Sequence, residues 1–220
     1  MAGSARYTAI LDACVLYPAT LRDLLLSLAR DGLYHARWSE RIQDEWVRSL
    51  IARRPDLEAA ALRRTCELMA QAVPDRVVQG WQRIEPGLTG LPDADDRHVL
   101  AAAICGHADA IVTFNLSDFP AEALAPFGVE AQHPDDFLLN QLDLNPIAAL
   151  KSIKSMRARW RNPQLTAQGL AAAIEKLQLP LVAARLREVA ELIWWPTSFP
   201  KTRSRWPCCN GRSTWAATTR

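Results

Sequence analysis

With 220 residues, of which 49% are apolar and 23% charged, the chain has the composition of a core-forming globular protein. This length suits one ordinary domain with a smaller addition, and it excludes a small disulfide-stapled scaffold. No stretch approaches the ~18 apolar residues of a membrane span and no apolar run follows Met1, so we expect a cytoplasmic protein. The five cysteines show neither zinc-ligand spacing nor a disulfide framework.

The formal net charge of +2 conceals a basic segment at the end of the sequence. Residues 194–220 contain Lys201 and four arginines without an acid, together with four of the eight tryptophans. One interpretation is an arm that binds single-stranded nucleic acid through arginines and stacking rings. The interpretation that we favour is a frameshifted or vector-derived end, because the preceding helical pattern stops at Ile193.

The first part of the chain alternates buried-strand and amphipathic-helix patterns. A short apolar strand ends on Asp12, and Ser39 is placed to cap a helix that carries Glu45 beside its apolar face. The predicted elements are a strand over 7–13, a helix over 21–30, a strand or extended segment over 33–38, a helix from 39 onwards and a helix over 56–73. Val77 and Val78 could form a further short strand.

The second part predicts the remaining layers and an appendage. Its elements are a helix after Asp93, a strand over 110–114, a helix over 122–127, a strand over 129–132 and a helix near Asp135. This order predicts an α/β/α sandwich with a central parallel sheet over residues 6–140. Two further helices, over 146–161 and 166–193, predict a small C-terminal helical domain over residues 145–193.

Acidic residues lie near strand ends or helix starts on four different elements: Asp12, Glu45, Asp96 and Asp118. Parallel strands end at one edge of a sheet, where open α/β folds bind their ligands. Clustered carboxylates without a neighbouring lysine or arginine repel one another unless a hard cation neutralises them. Mg²⁺ or Mn²⁺ suits such oxygen ligands, whereas zinc favours histidine or cysteine. These ions support displacement at phosphodiesters, so the pattern indicates phosphoryl chemistry on a polyanion.

Each acid also has a structural interpretation. Asp93, Asp95 and Asp96 would occupy the cap and first turn of a helix, where acids are favoured. Asp118 could help to start the next helix, and Glu45 could be a solvated residue with arginines on its helix face. Capping leaves the acid at the end of the first strand unexplained. The combination of four acids therefore favours a metal site.

Four short segments carry a resemblance to a known family. They are LDACVLYPATLRDLL, SERIQDEW, DADDRHVLAAAI and VTFNLSDFP. As a set they resemble the PIN-domain nucleases, in the branch of VapC-like toxins that carry an extra C-terminal helical domain. The resemblance covers about residues 6–193.

The resemblance implies a Mg²⁺- or Mn²⁺-dependent endoribonuclease, a homodimer in many relatives, and a small antitoxin protein that blocks the site. The catalytic and metal-binding residues of the family then fall on Asp12, Glu45, Asp96 and Asp118. The supporting positions are Asp93, Asp95, Thr113 and Asn115. Within the DADD cluster we expect Asp93 to cap the helix, Asp95 to support the site and Asp96 to bind the metal.

Basic residues predict where an RNA backbone would lie, although a basic run is usually a solvated helix face. The candidates are Arg37, Arg41, Arg97, Lys154 and Arg157. His98 follows the acid cluster on the predicted helix. We expect it to be a polar surface residue or a neighbour of the site rather than a general acid.

Three other classes of protein are alternatives to a nuclease. A phosphatase with a strand-end aspartate needs a second acid two residues later, where this chain has Cys14. A dinucleotide-binding oxidoreductase needs a glycine-rich turn after the first strand, and the chain has none. The alternative that stays open is a non-catalytic PIN-like module that binds RNA or protein.

Overall fold

The computed structural model of the protein, described for residues 7–160 and 165–193, is built on one four-stranded sheet with the order β2-β1-β3-β4 and every neighbouring pair parallel. The strands are β1 (Thr8–Leu11), β2 (His35–Arg37), β3 (Ala110–Val112) and β4 (Glu130–Gln132). The central strand β3 is buried throughout, as expected where helices cover both faces of a parallel sheet. The predicted α/β/α sandwich is therefore confirmed.

Helices cover the sheet and extend beyond it. Those of the sheet-bearing part are α1 (Ala13–Leu16), α2 (Ala19–Arg30), α3 (Glu40–Arg53), α4 (Ala59–Ala72), α5 (Arg97–Cys105) and α6 (Ala121–Leu124). They are followed by α7 (Pro134–Leu144), α8 (Pro146–Arg159), α9 (Ala167–Glu175), α10 (Pro180–Glu188) and α11 (Ala190–Ile193). No helix within the described residues is both long and apolar enough to cross a membrane.

The strand register brings two polar chain segments together. Leu11 at the end of β1 pairs with Val112 at the end of β3, so Asp12 and Thr113 follow neighbouring strands at the same edge of the sheet. The Asp12 backbone N–H continues this pairing by donating to the Val112 carbonyl oxygen at 3.2 Å. Topology therefore places these two side chains side by side before any side-chain interaction is considered.

The helix that carries Glu45 begins as the sequence predicts. The Ser39 hydroxyl accepts a hydrogen bond from the Ile42 backbone N–H at 3.2 Å, which satisfies one of the unpaired N–H groups at the start of α3. Ile42 and Trp46 are buried against the core. Glu45 stands between these two positions in the sequence and remains half-buried.

Several predicted boundaries are wrong for local reasons. The first strand stops at Leu11 rather than 13, because Asp12 caps the one-turn helix α1, which begins at Ala13. The single helix predicted over 166–193 is three helices, because Gln178 has φ 63° and Pro180 occupies the first turn of α10. Val77 forms only an isolated parallel bridge with Trp38. The Asn162-Pro163 break and residues 194–220 lie outside the described residues.

The C-terminal helices share one continuous apolar core with the sheet. The Asp135 carboxylate accepts hydrogen bonds from the Leu181 and Val182 N–H groups at 2.8 and 2.9 Å, which caps the start of α10. Phe137 packs edge-on against Tyr34, with ring centroids 4.8 Å apart. The predicted boundary at residue 140 falls inside α7, so the division into residues 6–140 and 145–193 stays a prediction.

Candidate active site

Asp12 is a buried carboxylate whose two oxygens are both held in place. Its Oδ1 accepts a hydrogen bond from the Ala13 N–H at 2.6 Å. Its Oδ2 accepts from the Thr113 hydroxyl at 2.7 Å and from the Cys14 thiol at 3.1 Å. Burial first, and then the charge of Asp12, raise the pKa of Cys14 to about 12, so the thiol remains a protonated donor. Asp12 is 8% exposed, and its donors come from the segments that follow β1 and β3.

Capping accounts for part of this arrangement, contrary to the sequence-based expectation. Asp12 occupies the cap position of α1, and the bond to Ala13 is the capping bond. The expectation failed because a one-turn helix has no period to detect. The Thr113 hydroxyl is not needed for capping, however, and it also accepts the Asn115 N–H at 3.0 Å. Thr113 therefore links the first strand to the second acidic segment.

Asp96 is the carboxylate most strongly influenced by its surroundings. Burial, followed by the charges of Asp12, Asp118 and Asp93 in that order, raises its pKa to about 6. Asp96 precedes α5 directly, but its side chain makes no capping hydrogen bond. Its position is thus not explained by a cap, and the structure brings it into the electrostatic range of the acids after β1 and β3.

The other acids of the DADD cluster lie on its exposed side. The Asp93 carboxylate accepts a hydrogen bond from the Asp95 N–H at 2.8 Å, which closes a turn ahead of α5. The prediction that Asp93 caps the helix is wrong, because the cap position belongs to Asp96. Asp93 and Asp95 are both exposed. Only Asp93 of the two contributes a charge that raises the pKa of Asp96.

The second acidic segment follows β3 as a short turn. Asp118 is half-buried at the end of a 3-10 helix, Leu116–Asp118, and accepts a hydrogen bond from the Ser117 hydroxyl at 3.3 Å. Asn115 stands at the start of this turn with an exposed side chain. The turn therefore returns Asp118 toward Asp96 and Asp12, as its effect on the pKa of Asp96 shows.

Glu45 differs from Asp12, Asp96 and Asp118 because an arginine side chain pairs with it. Its Oε1 lies 3.0 Å from His98 Nε2 and 3.3 Å from Arg41 Nε. Burial alone would raise the pKa of Glu45, but the hydrogen bonds and charges of His98 and Arg41 outweigh it, so the pKa is lowered. Arg41 continues the network to Glu85 at 2.7 Å and to the Asp95 carbonyl oxygen at 3.4 Å. Glu45 thus reaches the acidic segment through its partners.

His98 is the site residue whose role the sequence did not reveal. It is 2% exposed, not a surface group, and its ring lies 5.9 Å from that of Trp81. It also lies within electrostatic range of Asp96. The apolar run that follows it, VLAAAI, is the one signal in the sequence that indicates burial.

The predicted RNA-binding residues differ in their contacts and in their burial. Arg37 donates to the Gly106 carbonyl oxygen at 3.2 Å, and Arg41 belongs to the Glu45 network. Arg157 is buried at 6% exposure and donates to the Leu165 carbonyl oxygen at 3.1 Å, so the expectation of an exposed basic face is wrong there. Arg97, next to Asp96, and Lys154 on α8 are half-buried.

The donor set at this edge fits a hard divalent cation chemically. Asp12, Asp96 and Asp118 offer carboxylate oxygens, which Mg²⁺ and Mn²⁺ prefer. In residues 7–160 and 165–193, no group of three or more His, Cys, Asp or Glu side chains has converged to ligand distances. The carboxylates lie close enough to raise the pKa of Asp96 but are not closed around one point.

The fold and the site together define the class of protein: helices cover a parallel sheet, and acidic residues gather where its strands end. The family model described as "PIN domain" matches residues 8–117, and the chain belongs to this family. A second model, described as "VapC50 C-terminal domain", matches residues 134–188. The predicted combination of a PIN domain and an extra C-terminal domain is confirmed.

A curated relative supports the same branch of the family. The chain is 46% identical over 94 residues to a protein of Mycobacterium tuberculosis (strain ATCC 25618 / H37Rv) named "Putative ribonuclease VapC50". The match covers 43% of this chain and 55% of the relative, so it spans about half the length of that protein. No solved structure matches the chain.

Proposed function

We propose that this protein is a divalent-cation-dependent endoribonuclease that hydrolyses RNA phosphodiester bonds, and that it is the toxin of a type II toxin–antitoxin pair. Asp12, Asp96 and Asp118 would hold Mg²⁺ or Mn²⁺, with Glu45 as the fourth acid of the site. Membership of the PIN family and the name of the relative support this class of activity. An RNA substrate implies action in the cytoplasm, which stays a prediction.

One arrangement supports the proposal above all: Asp12, Asp96 and Asp118 gather at one edge of the sheet, and the pKa of Asp96 is raised there. A pKa of about 6 means that ionised Asp96 is disfavoured by burial and by the charges of Asp12, Asp118 and Asp93. A protein that needed Asp96 only as a helix cap would gain nothing from this repulsion. A cation that binds all three acids would remove it, because an opposite charge favours the ionised form.

Some residues of the site would hold the cation, and others orient the residues that hold it. When bound, a divalent cation supplies an activated water and stabilises negative charge on the phosphodiester. Thr113 and Cys14 fix the direction of Asp12 through its Oδ2. Arg97 lies half-buried beside Asp96, so it is the predicted phosphate contact nearest the acids in sequence. Lys154 stays a candidate for the flanking RNA.

The direct test is incubation of the purified full chain with total RNA. We expect discrete cleavage products with added Mn²⁺ or Mg²⁺ and none with EDTA. Restoring excess Mn²⁺ after EDTA should restore the products, which separates loss of the cation from damage to the protein. Undegraded RNA at every cation concentration would contradict the proposal.

A non-catalytic RNA- or protein-binding module is the second candidate. The observation that favours it is the pairing of Glu45 with Arg41 and His98, which leaves this acid less available to a cation. The same incubation discriminates the two functions. RNA that is retained by the protein in a gel shift but stays intact with Mn²⁺ would support the binding module.

Thr113→Val should weaken cleavage by about tenfold to a hundredfold, the usual effect of losing a group that orients a metal ligand. The change removes the hydroxyl that donates to Asp12 and accepts from Asn115. Thr113 is fully buried, so the loss also costs about 1–3 kcal/mol of stability. Thr113→Ser keeps the hydroxyl and is the matched control. Initial cleavage rates and thermal unfolding of both variants test this, and equal rates would contradict it.

The proposed partners follow from the family and have separate tests. A small antitoxin encoded directly upstream of this chain would support the toxin role, and co-expression should relieve growth inhibition. A homodimer, also proposed, should be visible as twice the chain mass in light scattering. Neither outcome changes the assignment of the acidic site.

A further inference from the structure

His98 lies near two acids of the site, Glu45 and Asp96. Its Nε2 is 3.0 Å from Glu45 Oε1, and it lies within electrostatic range of Asp96. Glu45 belongs to α3 and Asp96 directly precedes α5, which carries His98 in its first turn. The buried His98 side chain thus connects α3, which carries Glu45, with the segment that carries Asp96.

Packing alone does not explain a histidine at this position. A polar ring that leaves water loses free energy unless hydrogen bonds replace those to water. His98 is 2% exposed, and within the described residues its Nδ1 has no hydrogen-bond partner. An apolar side chain of similar size would fill the space without this cost. The contact between Nε2 and Glu45 is therefore the interaction that distinguishes histidine from leucine here.

The direction of the Glu45 carboxylate is set by two contacts on the same oxygen. His98 from α5 and Arg41 from α3 both meet Oε1, at 3.0 and 3.3 Å. Two contacts from different helices fix the rotation of a side chain that is otherwise 27% exposed. Oε2 is the oxygen that neither partner uses.

We propose that His98 is a positioning residue that orients Glu45 as the fourth acid toward the cation held by Asp12, Asp96 and Asp118. The inference rests on the proposed function of this edge. The competing role is purely structural, with the His98–Glu45 contact fastening α5 to α3. The two roles make opposite predictions for stability and cation affinity.

His98→Leu and His98→Gln separate these roles. Leucine keeps an apolar volume and removes the donor, whereas the glutamine side-chain N–H can donate near the position of Nε2. The readout is Mn²⁺ affinity of the full chain without RNA, measured by calorimetry, alongside the melting temperature in EDTA. For His98→Leu we expect affinity about tenfold to a hundredfold weaker with an unchanged or higher melting temperature. His98→Gln should restore most of the affinity.

Two further variants make the result specific. Val99→Ala, a buried neighbour on α5, should lower the melting temperature while leaving Mn²⁺ affinity unchanged. In a Glu45→Gln background, His98→Leu should cause no additional loss of affinity, because the two residues act as one unit. The cleavage defect of His98→Leu should be relieved by raising the Mn²⁺ concentration.

Equal Mn²⁺ affinity in the wild type and His98→Leu would overturn this proposal alone. A lower melting temperature of His98→Leu in EDTA, with unchanged affinity, would assign the contact to structure and overturn it as well. Absence of Mn²⁺ binding and of RNA cleavage in the wild type would overturn the proposed function and this inference together.

Discussion

Asp12→Asn should reduce RNA cleavage to the level of the wild type in EDTA and should relieve growth inhibition on expression. The change keeps the shape of the side chain and an oxygen that can accept the Ala13 N–H, so α1 can remain capped. It removes the negative charge from the carboxylate at the centre of the site. The Asn amide also offers a donor where Oδ2 now accepts from Thr113 and Cys14.

The effect is expected to be large because Asp12 is the most completely oriented acid. Its orientation comes from three donors in the segments that follow β1 and β3, and such preorganisation is lost when one acceptor becomes a donor. Initial rates on total RNA with Mn²⁺ measure the loss. Circular dichroism and thermal unfolding show whether the fold is retained.

Asp109→Asn is the matched control for this prediction. Asp109 is exposed ahead of β3, at the opposite edge of the sheet, and accepts the Thr8 N–H at 2.7 Å. The same chemical change there should leave cleavage unchanged. Cleavage by Asp12→Asn at the rate of Asp109→Asn would show that the acid after β1 has no part in catalysis.

The sequence was sufficient to locate the acids that follow strands. A buried-strand pattern that ends on an acid is a local signal, and parallel strands bring their ends to one edge regardless of what lies between them. The positions of Asp12 and Asp118 were predictable for this reason. The register of β1 with β3 places Thr113 beside Asp12, whereas from the sequence Thr113 was a candidate only through the family resemblance.

Contacts between helices were not predictable in the same way. The partners of Glu45 depend on how α3 packs near α5, and no local pattern in SERIQDEW or RHVLAAAI encodes that distance. The burial of Arg157, by contrast, could have been predicted from a local pattern. Arg157 follows Ile153 by four residues, so the two side chains share the apolar face of α8. Its place in a basic run suggested that the side chain would be exposed to solvent. Instead, its aliphatic stem packs inward and the guanidinium donates to the Leu165 carbonyl oxygen.

Asp96→Asn should abolish cleavage and yet stabilise the metal-free protein at neutral pH. In the folded wild type, burial and the charges of Asp12 and Asp118 raise the pKa of Asp96 to about 6, whereas an unfolded aspartate titrates near pH ~4. Between these values the folded state binds more protons than the unfolded state. The stability of the wild type therefore falls as the pH rises from about 4 to about 6 and remains reduced above that.

Asparagine carries no charge, so the variant escapes this loss. In EDTA at pH 7.5, Asp96→Asn should have a higher free energy of unfolding than the wild type, and the difference should shrink as the pH is lowered through about 6 towards 4. Denaturant unfolding at a series of pH values measures it. Asp109→Asn, which lies away from the acidic edge, should not show the same pH-dependent gain.

Addition of Mn²⁺ should reverse the order of stability. A cation that binds the folded state stabilises it by mass action, and the wild type has the full set of carboxylates to bind it. Asp96→Asn, lacking one ligand, should gain less and become the less stable protein at high Mn²⁺. If Asp96→Asn stayed more stable than the wild type at every Mn²⁺ concentration, the clustered acids would not bind a cation. Their positions would then have to be explained by their roles in α1 and in the turns that they help to form.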